Sequence, residues 1–433
     1  MITPIIETVM FCGRQELALR GHDDAGVIES LTMQSHNDGN FRALLRYRAS
    51  GGDDNLRRHL VSDSQRNASY LSPKIQNEII SSLNNLILGK LVSRVNSAEC
   101  FSVLADETTD ISGVEQLSLG VRYLDAVAGQ VREDFLQFVP VYDVTGKALS
   151  TVILDSLSKF GVRIDKMRGQ GYDGAASMSG HISGVQTHVR QRCPLPVDVH
   201  CSSHSLNLAV SNACDVAAVR NCMGTIGAVH TFLNTPKRNT LLKQCVESLL
   251  PTSSHHRLKQ MCPTRWVERH DSVHIFKQLM PAVHDCLAKI AEWPDSESAA
   301  RANQLLCSIR QAEFIVALCV TARVFAVTLP LCRELQRETL DLAAALEMAA
   351  EVKTVIGDMR ARSEEEFKVI FDTAGAFCAD SGVEIAVPRL AKRQTKRCNV
   401  TADSPEAYYR AAVFVPFLDN FLMQLNDRFL SHN

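Results

Sequence analysis

The 433-residue chain lacks an excess of charge of either sign: 46 Lys and Arg stand against 48 Asp and Glu, a formal net charge of −2. No global basic field marks it for nucleic acid, so any DNA contact falls to a local patch. Its 14 cysteines include no Cys-x-x-Cys pair, which removes the tight spacings of a disulfide scaffold. Scattered thiols in a long chain read as reduced and intracellular. From Met1 to Leu17 there is no basic start followed by an apolar run and a small-residue cleavage site, which argues against a secretory leader. The one long apolar run, Phe314 to Cys332, carries Arg323 at its centre and Pro330 near its end. A charge at mid-bilayer is costly, so a buried helix is expected there and no membrane association. What is present is an ordinary globular composition, 45% apolar and 22% charged, enough for a sizeable core. The length suggests two to three domains.

Periodicity divides the chain. From Gln15 to about Ala98 the pattern is helical, broken at Gly51-Gly52, with Ser72 as an N-cap before Pro73 and an apolar series Ile75, Ile79, Leu83, Leu86 and Leu91. From Cys100 the period becomes two. Phe101, Val103 and Ala105 alternate with polar neighbours, as do Leu117, Leu119, Val121 and Tyr123. A third run, Val131 to Val141, is expected to place Phe135 and Val139 on one side and Leu136 and Phe138 on the other. Three consecutive strands suggest an antiparallel meander. A helix over Lys147–Phe160, a short extended run Val162–Arg168, a helix to about Arg190, a strand Val197–Cys201 and a helix from Leu206 complete the order β-β-β-α-β-α-β-α. That order fits a mixed sheet with helices packed on it, an α/β arrangement whose functional side chains collect at strand ends. Beyond Ala213 the strand signal ends and long helices are expected, including Leu305–Leu331 and Glu334–Arg362, with a basic loop Arg389–Arg397 before a last helix from Ser404. The expected divisions are a helical region 1–98, an α/β core 99–214 and an all-helical region 215–433.

Asp106 stands at an expected strand end, and Asp106, Glu107 and Asp110 put three acids within five positions, a pattern that can hold a divalent cation through hard oxygen ligands or be solvated. Asp173 follows another strand, where Gly169, Gly171 and Gly174 permit tight turns. Two strand-end carboxylates on one sheet are the minimum for metal-assisted phosphoryl chemistry. The Gly-rich run has no Gly-x-x-x-x-Gly-Lys-Ser/Thr phosphate loop. Cys201 and His204, three positions apart, suit one metal, but a structural zinc wants four ligands and no second such pair follows, which favours a buried Cys and a hydrogen-bonded His. Arg265-Trp266 offers a cation beside an aromatic ring, able to contact phosphate and stack on an unpaired base, or simply a core tryptophan.

Taken together, Phe101-Ser-Val-Leu-Ala-Asp-Glu-Thr-Thr-Asp-Ile-Ser, Glu115-Gln-Leu-Ser, Arg168-Gly-Gln-Gly-Tyr-Asp-Gly-Ala, His200-Cys-Ser-Ser-His-Ser-Leu-Asn-Leu-Ala and Thr264-Arg-Trp resemble the hAT superfamily of cut-and-paste DNA transposases. The branch they resemble most is that of the zinc-finger MYM-type proteins and the repressors of the inhibitor of protein kinase. Leu19-Arg-Gly-His22, Gly39-Asn-Phe41, Tyr70 to Asn77, Val387 to Gln394, Tyr408-Tyr409 and Phe414 to Asp419 extend the resemblance over nearly the whole chain. It implies a ribonuclease-H-like mixed sheet interrupted by a long all-helical insertion domain. It also implies two Asp and one Glu that hold two Mg²⁺ or Mn²⁺ ions for attack on DNA phosphodiesters. By motif match Asp106 is the first acid and Asp173 the second, Cys201 and His204 are the Cys-x-x-His element near the active site, and Trp266 is the insertion tryptophan that stacks on DNA.

The family Glu lies in a Glu-Arg-x-Phe-Ser segment that also supports dimerisation. These 433 residues hold no such segment, and their one Glu-Arg pair is Glu268-Arg269. An N-terminal zinc finger is likewise absent. The expectation is therefore a transposon-derived protein with little or no activity in this form and no stable oligomer, or a domesticated nuclear regulator that uses the fold to dock other proteins. Lys392, Arg393, Lys396 and Arg397 are candidate DNA contacts at transposon ends, or a nuclear localisation signal.

Overall fold

A computed structural model describes residues 2–24, 26, 28, 31, 36–61, 69–200, 202–261, 266–335, 342–388 and 400–430. By packing, the chain divides into one unit of Met1–Gly169 with Val189–Pro196, and another of Gln170–His188 with Val197–Asn433.

The first unit begins with a small helical core. Helices α1 (Thr3–Arg14), α2 (Asn40–Ser50), α3 (Asp54–Val61) and the first turns of α4 (Pro73–Ser97) enclose Ile5, Val9, Phe41, Leu45, Leu56 and Leu60. Gly51-Gly52 separates α2 from α3, and the Ser72 hydroxyl accepts from the Ile75 amide before Pro73, both as the sequence leads one to expect. Backbone meets backbone where Gly21 passes Gly39. A Cβ on Gly21 would lie 2.2 Å from the Gly39 nitrogen, and one on Gly39 2.6 Å from the Leu19 oxygen. The His22 amide donates to the Asn37 carbonyl at 3.0 Å and the Phe41 amide to the Leu19 carbonyl at 3.3 Å. Beneath this crossing Asp38, buried, accepts from Arg42 Nε and Arg46 Nη1, each at 3.0 Å, and from Arg46 Nη2. Both guanidiniums are buried as well, so one carboxylate serves two cations.

Strands β1 (Phe101–Thr109), β2 (Glu115–Asp125) and β3 (Gln130–Val141) form the expected antiparallel meander, Val103 opposite Val121 and Leu117 opposite Val139. With β4 (Met167–Tyr172) and β5 (Val197–His200) they give a five-stranded sheet in the order β3-β2-β1-β4-β5. The alternating residues of β1 and β2 bury one face, covered by the last turns of α4 (Val92, Val95) and by α5 (Gly146–Phe160), whose Leu149, Ile153 and Leu157 are fully buried. Thr145 caps α5, and Gly161 ends it at φ +84°, a left-handed position that favours glycine.

Two expectations fail in this sheet. In β3, Leu119 pairs with Gln137 but Gly120 pairs with Phe135, so Leu136 is an extra residue, a β-bulge. The bulge resets the alternation: Leu136 is buried, while Phe135 and Phe138 share the exposed face with ring centroids 4.8 Å apart. The run before the Gly-rich segment is a short 3₁₀ turn, Ile164–Lys166, and β4 takes in Gly169 and Gly171. Gly169 makes no turn. A Cβ there would lie 2.2 Å from Ser102 Oγ, so glycine lets β4 lie against β1.

The expected single helix to Arg190 is two, α6 (Ala176–Ser179) and α7 (Val185–Arg192). They are separated where Gly184 abuts Gly180; a Cβ on Gly184 would lie 2.4 Å from the Gly180 nitrogen. Among the described residues after β5 there are only helices: α8 (Ser202–Ala213), α9 (Ala217–Leu233), α10 (Pro236–Leu249), α11 (Trp266–Ala291), α12 (Ser296–Ile309), α13 (Ala312–Glu334), α14 (Leu342–Ala361), α15 (Ser363–Asp380), α16 (Pro405–Tyr409) and α17 (Val415–Leu425). The Leu305–Leu331 pattern is broken at Arg310-Gln311, because the stripe of α12 ends at Ile309 and a new helix starts with Glu313 in its first turn. The long apolar run is α13, a core helix with Phe314 to Val320 buried; Arg323 reaches its surface and pairs with Glu366 at 3.1 Å. Burial pushes the thiols of this core up, Cys214, Cys286 and Cys332 to about 12. Between α16 and α17 a π turn, Arg410–Phe414, widens the helix just before Pro416, which has no amide to donate.

Candidate active site

Asp106 is the sixth residue of β1, opposite Ser118, whose hydroxyl donates to the Asp106 carbonyl at 3.0 Å. The strand continues three residues beyond it to Thr109, so Asp106 is within the strand and not at its end. Its side chain is exposed, on the same sheet face as Leu104 and the Phe135–Phe138 pair. Strand period two separates the neighbouring acids: Glu107 lies on the covered face with Ala105, opposite to Asp106. Asp110 leaves the strand and closes the β1–β2 hairpin. Its Oδ1 accepts from the Ser112 amide (2.8 Å), the Ser112 hydroxyl (2.6 Å) and the Val114 amide (3.0 Å), and its Oδ2 from Gln116 (2.9 Å). These bonds, first that from Ser112, hold its carboxyl down to about 2. The three acids therefore do not converge on one ion.

In the second unit Asp173 directly follows β4. Its Oδ1 accepts from the Ala175 amide at 3.1 Å and its carbonyl from the Ser179 hydroxyl at 2.8 Å. A buried polar network holds this loop. The Tyr172 hydroxyl donates to Gln170 Oε1 (3.1 Å), Gln170 Nε2 to the Gln186 carbonyl (3.3 Å), and Gln186 Nε2 to the Ser179 carbonyl (2.7 Å). Burial, with the charge of Asp198 added, pushes the Tyr172 hydroxyl far up, so it stays a donor. Gln170 and Gln186 escaped the sequence reading; the signal was Gln170 two residues before Tyr172 on one side of a strand, inside a segment read as a turn.

His204, in the first turn of α8, reaches the same loop. A Cβ on Gly174 would lie 3.1 Å from His204 Nε2 and 3.3 Å from Leu208, so glycine lets the imidazole sit close against the backbone next to Asp173, and a larger residue would push it back by a few tenths of an ångström. Asp173 and His204 thus share one neighbourhood in their unit. Cys201, Arg265, Lys392, Arg393, Lys396 and Arg397 lie outside the described residues; Trp266 opens α11, but its side chain is outside them too.

Asp106 and Asp173 offer hard oxygen donors of the kind Mg²⁺ and Mn²⁺ take. Among the described residues, however, no three His, Cys, Asp or Glu side chains come together as a metal-holding group. The residues described do not by themselves complete a two-metal site.

A five-stranded mixed sheet beginning with a meander, with an acid on its first strand and another after its fourth, followed by a long run of helices, defines an α/β fold of the ribonuclease-H kind with an all-helical region after it. Residues 1–184 match the family model DUF4371, described as ZMYM1/FAM200, RNase-like domain. The chain is 26% identical over 435 residues to the mouse (Mus musculus) 52 kDa repressor of the inhibitor of the protein kinase, covering 98% of this chain and 56% of that protein. It is 25% identical over 434 residues to the human (Homo sapiens) protein of the same name, with the same coverage. The chain is thus similar to this family over residues 1–184 and to these repressors over nearly its whole length, and it spans about half the length of the curated relatives it matches.

Proposed function

We propose that these 433 residues carry the nucleic-acid-cleaving fold of a transposase in a form that does not cleave DNA on its own, and that they act in the nucleus as part of a regulatory protein. The observation that carries this reading is the fate of the acids around Asp106: Glu107 sits on the opposite sheet face and Asp110 is consumed by the hairpin, so neither of these two stands in for a third ligand. Two divalent ions bring four positive charges to such a site and two aspartates neutralise half, which leaves the second ion weakly held. When bound, Mg²⁺ or Mn²⁺ would supply an activated oxygen nucleophile for attack on phosphorus. Of the chain's own residues, Asp106 and Asp173 would hold the ions by motif match, His204, against Gly174, would position the Asp173 loop, and Cys201 belongs with it to the Cys-x-x-His element that the resemblance implies. Arg265 and Trp266 would contact DNA. The test is a terminal-inverted-repeat substrate incubated with purified chain in Mg²⁺ or Mn²⁺, with Asp106→Ala as control. No product is expected; metal-dependent nicking that disappears in Asp106→Ala would overturn the proposal.

The regulatory side is supported by the relatives, which are called repressors of the inhibitor of the protein kinase. Arg389 to Arg397 supplies five cations in a nearly neutral chain, suited to nuclear import and to DNA phosphates. Alanine at Lys392, Arg393, Lys396 and Arg397 should lower nuclear accumulation and flatten the salt dependence of DNA binding; neither changing would remove this run from the reading.

A further inference from the structure

Helix α4 is anchored at both ends and, among the described residues, largely exposed between, with Leu83 reaching partly into the helical core. At its start Ile75, Gln76 and Ile79 pack into the helical core of the first unit, and at its end Val92 and Val95 pack against the sheet. In the middle Ile80 is 41% exposed and Ile87 61%, with Leu83 and Leu91 half-buried beside them. At about 100° per residue, Ile80, Leu83, Ile87 and Leu91 fall within a stripe roughly 80° wide. From Ile80 to Leu91 that stripe is about 17 Å long, the length of three helical turns. Lys90 borders it beside Leu83 and Arg94 stands at its C-terminal end, both exposed and neither in an ion pair among the described residues; Arg94 stands within electrostatic reach of Asp125 but outside ion-pair distance. The helix's one acid, Glu78, points about 160° away from Ile80. The face is therefore apolar, with two cations toward its C-terminal end and no acid of α4 on it.

We propose that the middle of α4 docks an amphipathic helix of another protein, whose apolar residues lie on Ile80, Leu83, Ile87 and Leu91 and whose carboxylates face Lys90 and Arg94. A second copy of α4 fits less well, because it brings cations and no carboxylate to this face. A bilayer fits less well because the bare span is three turns long between two ends tied into the fold. Fluorescently labelled 20-residue amphipathic peptides with one apolar stripe, flanked either by Glu or by Lys, give the test against the full chain. The Glu peptide should bind at least about tenfold tighter than the Lys peptide. Ile87→Ser, at a position too exposed to matter for folding, should weaken it by a similar factor, and Lys90→Glu with Arg94→Glu should reverse the preference. Equal binding of the two peptides, or no effect of Ile87→Ser, would overturn the proposal. So would concentration-dependent dimers lost in Ile87→Ser, or binding to phosphatidylserine vesicles lost in that variant.

Discussion

Replacing Asp38 by Asn keeps the shape of the side chain and removes the charge of the one carboxylate that serves both Arg42 and Arg46, buried at 4% and 6% exposure. Breaking a buried ion pair from one side costs about 3–5 kcal/mol, because the partner's desolvation is no longer compensated. The three charge-assisted hydrogen bonds to Asp38 would sum to more at about 1.5–3 kcal/mol each, but bonds sharing one carboxylate are not additive. A loss of this size is a large share of the roughly 5–15 kcal/mol that holds an ordinary domain together. Native-state hydrogen exchange of the α2 amides should accelerate by about two to three and a half orders of magnitude at 1.4 kcal/mol per decade. The pH dependence has a definite sign. Burial raises the Asp38 carboxyl, and the hydrogen bonds from Arg46 and Arg42 more than reverse this, so its folded pKa lies below the ordinary value. The stabilisation is complete above the unfolded carboxyl pKa of about 3.9 and is lost as pH falls through the lower folded value, a loss the Asn variant should not show. Adding Arg46→Met to Asp38→Asn should restore part of the stability, since an apolar side chain of similar length needs no counter-ion. Acceleration of less than about tenfold in Asp38→Asn would refute the account of this cluster.

Asp110→Ala should unlock the β1–β2 hairpin while leaving the rest of the meander paired, seen as faster exchange confined to the Ser112, Val114 and Gln116 region. In the parent chain the hairpin should hold above the usual carboxyl range and loosen only as pH falls through about 2, because a depressed carboxyl pKa gives stability that acid removes. Gly169→Ala should destabilise the first unit by about 1–3 kcal/mol through the clash with Ser102, and Ser102→Gly should relieve it, so a double-mutant cycle in urea should show coupling.

The parts of the fold legible in the sequence are those where one signal decides. Phe101, Val103 and Ala105 against Leu117, Leu119 and Val121 gave a meander because one covered face imposes period two. Ser72-Pro73 marked the start of α4 through its own capping hydrogen bond. The bulge at Leu136 was not legible: a single inserted residue changes which side Phe138 faces without changing the composition of the run. Glycines misled in a related way. Gly169 looked like turn chemistry, but its reason is Ser102, 67 positions earlier in sequence, a contact no local pattern contains. At the candidate site the residue types of Asp106, Asp173 and His204 were readable from motifs. The use of Asp110 by its own hairpin and the Gln170–Gln186 support were not, because they depend on which hydrogen bonds the folded chain leaves open.

The fold also sorts its sulfurs. Of the cysteines described, Cys12, Cys214, Cys222, Cys245, Cys286, Cys319, Cys332 and Cys378 are buried, while Cys100 and Cys307 are exposed. Among the described thiols an alkylating reagent therefore meets two fast ones, a half-buried Cys193, and a set that reacts only when the chain opens, since a buried thiol held protonated is a poor nucleophile. Cys12 lies in the first unit and the other seven in the second, so the order in which mass tags arrive reads out which unit opens first. The chain carries its own clock for local unfolding, with no label to be engineered into it.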